Sequence, residues 1–391
     1  MYRYIYGLIK LVSIFFISKI PIYTALNNLI HIASQFKPNG IITDIQELKC
    51  GNINRTFLIT LDSFIEKCFI LQCINTQVFY KPELIVKNMS VFTSHIFQSL
   101  QDFPSTNGRR WEIPKMLLTL DSQAYFIDIN NSFWRAITFI ERAETFDTIQ
   151  DYNHAYEVGY ALGTFHKLTS DLPIDKLVDI LPGFHIISTY LNQFTDVKLQ
   201  YNRLTQFPEI NYCCKFVNDR YTWAHVLERA IIQGDLRLRT IHGDPKVNNI
   251  MIDTLTKKSV SIIDLDTIKP GLIHYDIGDC LRSSCNRLGE ETQEWKEVSF
   301  DTDICQFVLD GYFSIAKDFL TDNDYEYMYD AIRLITFELG LRFFIDYLGY
   351  NTYFKVKYPE QNLVRALVQF QLTKSIELQE DIIRKIIQVM R

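Results

Sequence analysis

Ile241-His242-Gly243-Asp244-Pro245-Lys246-Val247-Asn248-Asn249-Ile250-Met251-Ile252-Asp253, followed by Val260-Ser261-Ile262-Ile263-Asp264-Leu265-Asp266, is the stretch that decides the fold. Two apolar runs, 250–252 and 260–263, flank a polar turn holding Thr254, Thr256, Lys257 and Lys258, which is a hairpin signal. Folding the pair about the middle of that turn sets Asn249 opposite Asp264. An amide oxygen and a carboxylate then share one edge of the ribbon. Such oxygen ligands suit Mg²⁺, which takes one or two protein carboxylates and keeps water and phosphate for the rest. Asp266 lies two residues beyond Asp264, on the same strand face. It either joins the metal shell or accepts hydrogen bonds from the following loop.

Asp244 precedes Asn249 by five residues and falls beside the same edge. There it accepts a hydrogen bond from a substrate hydroxyl. Phosphoryl transfer needs mainly positioning and charge neutralisation. One carboxylate to orient the nucleophile, two metal ligands and a cation meet that need, and Lys246 is the candidate cation. The spacing H-x-D-x-x-x-x-N, with a metal-binding Asp after a short hairpin, is that of the protein-kinase catalytic loop. His242 reads as a buried residue that orients the loop rather than as a proton carrier.

On the N-terminal side the pattern is mostly strands. Segments 41–49, 55–61, 68–73, 124–129 and 133–139 are rich in β-branched and aromatic residues. One helix interrupts them, opened by Pro82 and running to about residue 100. Beyond Ile140 the character turns helical, with helices expected at 152–168 and within 210–233, 301–319, 323–349, 361–371 and 374–390. The expected fold is α+β: a small antiparallel-sheet lobe over 30–140 that binds nucleotide, then a mainly helical lobe over 141–391 for catalysis and acceptor binding. Residues 140–143 form the connection and offer backbone groups to an adenine.

The bulk numbers agree with a globular protein. The chain has 391 residues, is 47% hydrophobic and carries a net charge of -6. That length suggests two packed lobes. The charge balance and the lack of a basic run give no sign of a nucleic-acid partner. The eight cysteines form no CxxC pair or zinc spacing, which reads as a reduced, cytoplasmic protein. Residues 1–29 are an apolar extension. Within the first 25 residues Lys10 and Lys19 leave 11–18 as the longest uncharged run, short of the ~20 apolar residues of a transmembrane helix. An amphipathic helix packed on the first lobe is the leading reading, and a membrane-surface helix its rival.

These residues resemble the aminoglycoside phosphotransferase and choline kinase superfamily of small-molecule kinases, and most closely its N-acetylhexosamine 1-kinase branch. The resemblance runs through Gly51 to Phe57, Ile70 to Asn75, Phe133-Trp134-Arg135, Leu181-Pro182-Gly183-Phe184-His185, His242 to Asn249, Ile263 to Thr267 and Tyr275 to Arg282. It implies a bilobal protein-kinase-like fold with ATP between the lobes. It implies Asp244 as catalytic base, Asn249 and Asp264 as Mg²⁺ ligands, and phosphorylation of the anomeric hydroxyl of an N-acetylhexosamine.

Two features depart from the pattern: the third-strand Lys is missing, and Glu83, the candidate for the Glu that would pair with it, is left without that partner and reads as a surface residue. Gln72 stands where kinases carry a phosphate-binding third-strand Lys, and Cys73 follows it. The missing charge is then expected from Lys67, Lys246 or a second metal ion. The turn from Gly51 to Thr56 either covers the phosphates, with Asn52, Asn54 and Thr56 adding hydrogen bonds, or simply joins two strands. Trp134 and Arg135 read as strand core with a salt bridge, or as acceptor pocket. Asp276 is expected near a helix N-terminus, where a carboxylate caps well, and is expected to brace the catalytic loop. Asp279 and Arg282 are left open. The alternatives to a sugar kinase are the same fold acting on an amino alcohol or aminoglycoside, or a nucleotide-binding pseudokinase.

Overall fold

The computed structural model describes residues 27–36, 40–48, 53–64, 66–102, 108–200 and 207–391. Residues 1–26 of the expected N-terminal extension, and Gly51 and Asn52 of the Gly51–Thr56 turn, therefore lie outside the described residues. The chain divides into two compact units: Met1–Val86 with Pro114–Phe139, and Lys87–Ile113 with Ile140–Arg391. Residues 87–113, which include most of the Pro82–Asp102 helix, thus group with the second unit.

The first unit is an antiparallel sheet. Its strands are β1 (Ile41–Leu48), β2 (Arg55–Asp62), β3 (Cys68–Ile74), β4 (Met116–Leu117), β5 (Phe126–Ile127) and β6 (Phe133–Thr138), in the order β1-β2-β3-β6-β4 with β5 also on β6. Period-two alternation sets its two faces. Phe57, Ile59, Leu61, Phe69, Leu71, Trp134 and Ala136 point to one side, where Ile32, Ala33 and Phe36 complete an apolar core. The other side carries a polar row, because Thr56 pairs with Gln72 and Gln72 pairs with Arg135 across neighbouring strands.

The second unit is mainly helical. The expected helix within 210–233 is two helices, Pro208–Arg220 and Val226–Gln233, broken before the second by a turn. Its apolar centre is the Met328–Leu348 helix, buried on most of its circumference. Against it pack Ile187–Gln200, Ile273–Ser284 and Gln361–Leu378. The Tyr152–Leu168 and Thr302–Ala316 helices cross in backbone contact. A Cβ on Gly159 would lie 1.8 Å from the Val308 carbonyl oxygen, and one on Gly311 would lie 1.9 Å from that of Tyr156. Only two glycines facing each other in this way allow so close an approach. Three small strand pairings complete the unit: β7 (Ala143–Glu144) on β9 (Ile250–Asp253), β9 on β10 (Ser259–Ile262), and β8 (Arg239–Ile241) on β11 (Lys269–Gly271). Among the described residues no helix is long and apolar enough to cross a membrane.

Candidate active site

Strand β8 delivers the chain into His242-Gly243-Asp244, and β9 leaves it after Asn249. The hairpin forms as expected, but its register is one residue off the expectation. Ile252 faces Ser259, whereas Met251 faces Ser261 and Ile250 faces Ile262. The extra residue is a bulge at Val260. Asn249 therefore meets Ile263, whose N–H donates to the Asn249 carbonyl at 2.9 Å, and Asp264 lies one position further on. Asp264 adopts the left-handed conformation, φ 63° and ψ 57°, and is exposed. The strand has ended by then, and a 3₁₀ turn over Leu265–Thr267 buries Asp266 to 2% exposure. Asp264 and Asp266 thus do not share a strand face, a correction to the alternation argument.

The loop itself is held from several sides. His242 is fully buried, which pushes its pKa down. Its Nε2–H donates to the Ile263 carbonyl at 2.9 Å, and its Nδ1 accepts the Asp244 N–H at 3.2 Å. The ring therefore ties the loop to the hairpin and orients it without carrying a charge. Gly243 sits at φ +86°, and a Cβ there would be 2.8 Å from the Thr267 carbonyl oxygen. Thr267 in turn donates its hydroxyl to the His242 carbonyl at 2.7 Å.

Asp244 is partly exposed and pairs with Lys246 at 3.0 Å. Desolvation pushes the Asp244 carboxyl up, against the pull of Lys246. Asp244 in turn raises the Lys246 ammonium, which stays charged. The Asn249 amide donates to the Asp244 carbonyl at 2.8 Å. That bond turns its Oδ1 away as the amide's remaining acceptor. Among the described residues no three His, Cys, Asp or Glu side chains gather into a ligand set. A cation here would rest on the Asn249 amide oxygen and the Asp264 carboxylate, a donor set that fits Mg²⁺.

Asp276 does not cap its own helix, whose N-cap Leu272 has no side-chain bond. Its fully buried carboxylate instead accepts the N–H groups of His242 at 2.7 Å and Gly243 at 2.8 Å. His166 holds it from the other side at 2.9 Å and contacts the Tyr312 hydroxyl at 3.0 Å. The glycine crossing of the two helices brings Tyr312 to His166. Asp279 and Arg282, left open by sequence, form a buried pair at 2.9 Å, and Arg282 also reaches Glu290. Burial works against the Asp279 charge, but Arg282, Lys246 and His185 together outweigh it and hold the carboxyl low.

Beyond the loop lies a cluster that sequence reasoning missed. His185, at φ 64°, stacks on Tyr275 and reaches the Gly243 carbonyl at 3.3 Å and Glu338 at 3.0 Å. One helical turn past Glu338, the Arg342 guanidinium lies over Phe184, Tyr190 and Phe354 at 5.0, 5.4 and 5.6 Å. No described residue gives it a hydrogen bond or ion pair. Burial disfavours its charge, yet Tyr190, Tyr353, Glu338 and Asp244 together hold its pKa above the usual range. The loop that brings Phe354 is pinned by Asp346, which accepts the N–H groups of Tyr353 and Phe354 at 2.8 and 2.9 Å. The signal available in the sequence was Glu338 and Arg342, two opposite charges one turn apart in the middle of a long, largely apolar helix.

In the first unit Asn54 accepts the Asn75 N–H at 2.9 Å, a turn-bracing contact. Gln72 donates weakly to Thr56 at 3.4 Å. Its Oε1 accepts the Nε and Nη2 groups of Arg135 at 2.9 and 2.8 Å.

A model of the phosphotransferase enzyme family matches residues 44–296. Among solved structures, the chain is similar to an aminoglycoside phosphotransferase from Alicyclobacillus acidocaldarius (TM-score 0.61, 14% identity, covering 92% of this chain and 96% of that one). It is also similar to a microcompartment-associated aminopropanol kinase (TM-score 0.59, 14% identity, 91% and 98%) and to a choline kinase from Cryptosporidium parvum (TM-score 0.59, 13% identity, 93% and 99%). At these identities the likeness is one of fold, and that fold is the bilobal kinase-like one.

Proposed function

The chain belongs to the phosphotransferase enzyme family, and from that premise we propose an ATP- and Mg²⁺-dependent kinase that phosphorylates the anomeric hydroxyl of an N-acetylhexosamine or related sugar. In this reading residues 30–140 bind the nucleotide, with Gly51, Asn52, Asn54, Thr56 and Gln72 on that side. Residues 141–391 carry catalysis and acceptor binding in a cytoplasmic protein. Asp244 accepts the hydrogen bond of the attacking hydroxyl and takes its proton as the acceptor oxygen bonds to the γ-phosphorus of ATP and the bond from that phosphorus to the β-phosphate oxygen breaks, releasing ADP. Its raised pKa brings a carboxylate closer to the range in which a general base works. Lys246, locked on Asp244, offers positive charge toward the transferring group. Asn249 and Asp264 would hold Mg²⁺, with Asp266 behind them, and the ion would neutralise phosphate charge when bound. His242, Asp276 and His166 keep the loop in place.

The observation that favours a sugar over an amine is Arg342. An aromatic box is the usual receptor for a quaternary ammonium. Here the chain's own guanidinium fills it, within electrostatic reach of Asp244. A cationic acceptor would meet like charge. A neutral, oxygen-rich acceptor finds hydrogen-bond donors and apolar ring faces.

The test is ADP release with ATP, Mg²⁺ and a panel of N-acetylglucosamine, N-acetylgalactosamine, glucose, choline, homoserine and kanamycin. Turnover with an N-acetylhexosamine, giving a product labile as a glycosyl 1-phosphate, is the expected result. Turnover confined to choline or kanamycin would discard the sugar acceptor and leave the kinase chemistry standing.

A further inference from the structure

Kinases of this architecture meet the α- and β-phosphates with a lysine on the third strand, and here that position is Gln72. Lys67 lies outside β3, and Lys246 is committed to Asp244 at 3.0 Å. The first unit holds another cation in the right row. Arg135 on β6 is the direct cross-strand partner of Gln72 on β3, which is itself the partner of Thr56 on β2. Partners in an antiparallel sheet project to the same face, about 4.8 Å apart from strand to strand. Arg135, Gln72 and Thr56 therefore form one polar line, on the face opposite the Phe57, Leu71 and Ala136 core.

The side chains are organised within that line. Arg135 is 1% exposed, and two of its N–H groups, on Nε and Nη2, converge on the single oxygen of Gln72. The amide end of Gln72 turns to Thr56. This also explains why position 72 is not a lysine. A lysine directly opposite Arg135 would set two like charges side by side, which destabilises a sheet. A neutral acceptor at 72 and a cation at 135 are one arrangement, with the charge moved by a strand. A guanidinium, planar and always charged, suits phosphate oxygens in that role.

We propose that Arg135 is the cation that meets the α- and β-phosphates of the nucleotide, with Gln72 as the residue that positions it. The inference rests on the nucleotide-dependent reading above. Its test is calorimetric titration of the full-length chain with a non-hydrolysable ATP analogue and, separately, with adenosine, in wild type, R135Q and the swap Q72K/R135Q. R135Q is expected to weaken the analogue at least ~10-fold, the low end for a hydrogen bond to a charged group, while adenosine binding stays unchanged. The swap, which returns the cation to the third strand, is expected to restore analogue affinity to near the wild-type value. Wild-type affinity in R135Q, equal loss of analogue and adenosine, or no recovery in the swap would overturn the assignment. If R135Q does not fold, the swap decides alone in the same way. A wild-type chain that binds neither ligand overturns the nucleotide reading, and this inference with it, before any substitution is made.

Discussion

Replacing Asp276 by Asn tests how the catalytic loop is held. The Asp276 carboxylate is fully buried and accepts the His242 N–H at 2.7 Å, the Gly243 N–H at 2.8 Å and the His166 ring at 2.9 Å. Asparagine keeps one oxygen and puts an NH₂ group where the other stood. That NH₂ must then face either a backbone N–H or the imidazole donor, and donors do not pair. A hydrogen bond to a charged group contributes about 1.5–3 kcal/mol, and a buried donor left unmatched costs about 1–3 kcal/mol. One of each gives a destabilisation of about 2.5–6 kcal/mol, in the range that marks a broken buried network. Urea unfolding followed by circular dichroism would show it as a lower midpoint at unchanged slope. Turnover should fall further than folding alone explains, because the two N–H groups position the residue just before Asp244. A displacement of about 1 Å at such a site costs on the order of 10²-fold. A midpoint within ~1 kcal/mol of wild type, with turnover intact, would show that the loop does not hang on Asp276.

Three further outcomes can be checked. Asp244→Asn should lower turnover at least ~10²-fold with nucleotide affinity kept, read by steady-state kinetics beside a binding titration; near-wild-type turnover would remove Asp244 from the base role. Buried His274, whose pKa is depressed from 6.5 to about 4 by desolvation, should make the fold acid-sensitive. Below pH 6.5 the unfolded chain takes up a proton that the folded chain refuses, so stability is complete above that pH, declines as pH falls, and levels off beneath about pH 4, a loss of about 3 kcal/mol. His274→Gln should flatten that decline in denaturation midpoints taken across the range. Gly159→Ala places a methyl 1.8 Å from the Val308 carbonyl oxygen, so the helices must part. A loss above ~4 kcal/mol is expected in unfolding experiments, and an unshifted midpoint would refute the crossing.

What the sequence made legible was local. The alternation of Phe57, Ile59 and Leu61 needs only a period of two to assign a face, and β2 buries those three. The His242-to-Asp264 stretch is contiguous, so its loop and hairpin could be read before any fold was known. The register slipped by one because a bulge at Val260 depends on what packs against β10, which no local pattern encodes. The same limit hid the brace behind the loop. Asp276 reaches back 34 residues to His242, His166 reaches 110 forward to Asp276, and Tyr312 lies 146 beyond His166. That Gly159 faces Gly311 across a helix crossing could likewise come only from the assembled unit.

The parts hardest to read were those where charge sits in apolar surroundings. In the Met328–Leu348 helix the apolar residues run all round, so periodicity locates the helix but names no inward face. Five charged residues break that run; Glu338 among them is 1% exposed, and burying a charge without a role is costly enough to be informative. The same reasoning applies to Arg135, a fully buried guanidinium in a sheet strand, which strand propensity alone would have filled with a β-branched or aromatic residue. In both cases the charge that departs from the local pattern is tied to a residue of the proposed site: Arg342 feels the charge of Asp244, and Arg135 pairs across the sheet with Gln72. A charge that local propensity cannot explain is a stronger pointer to function in this chain than any residue that fits its element.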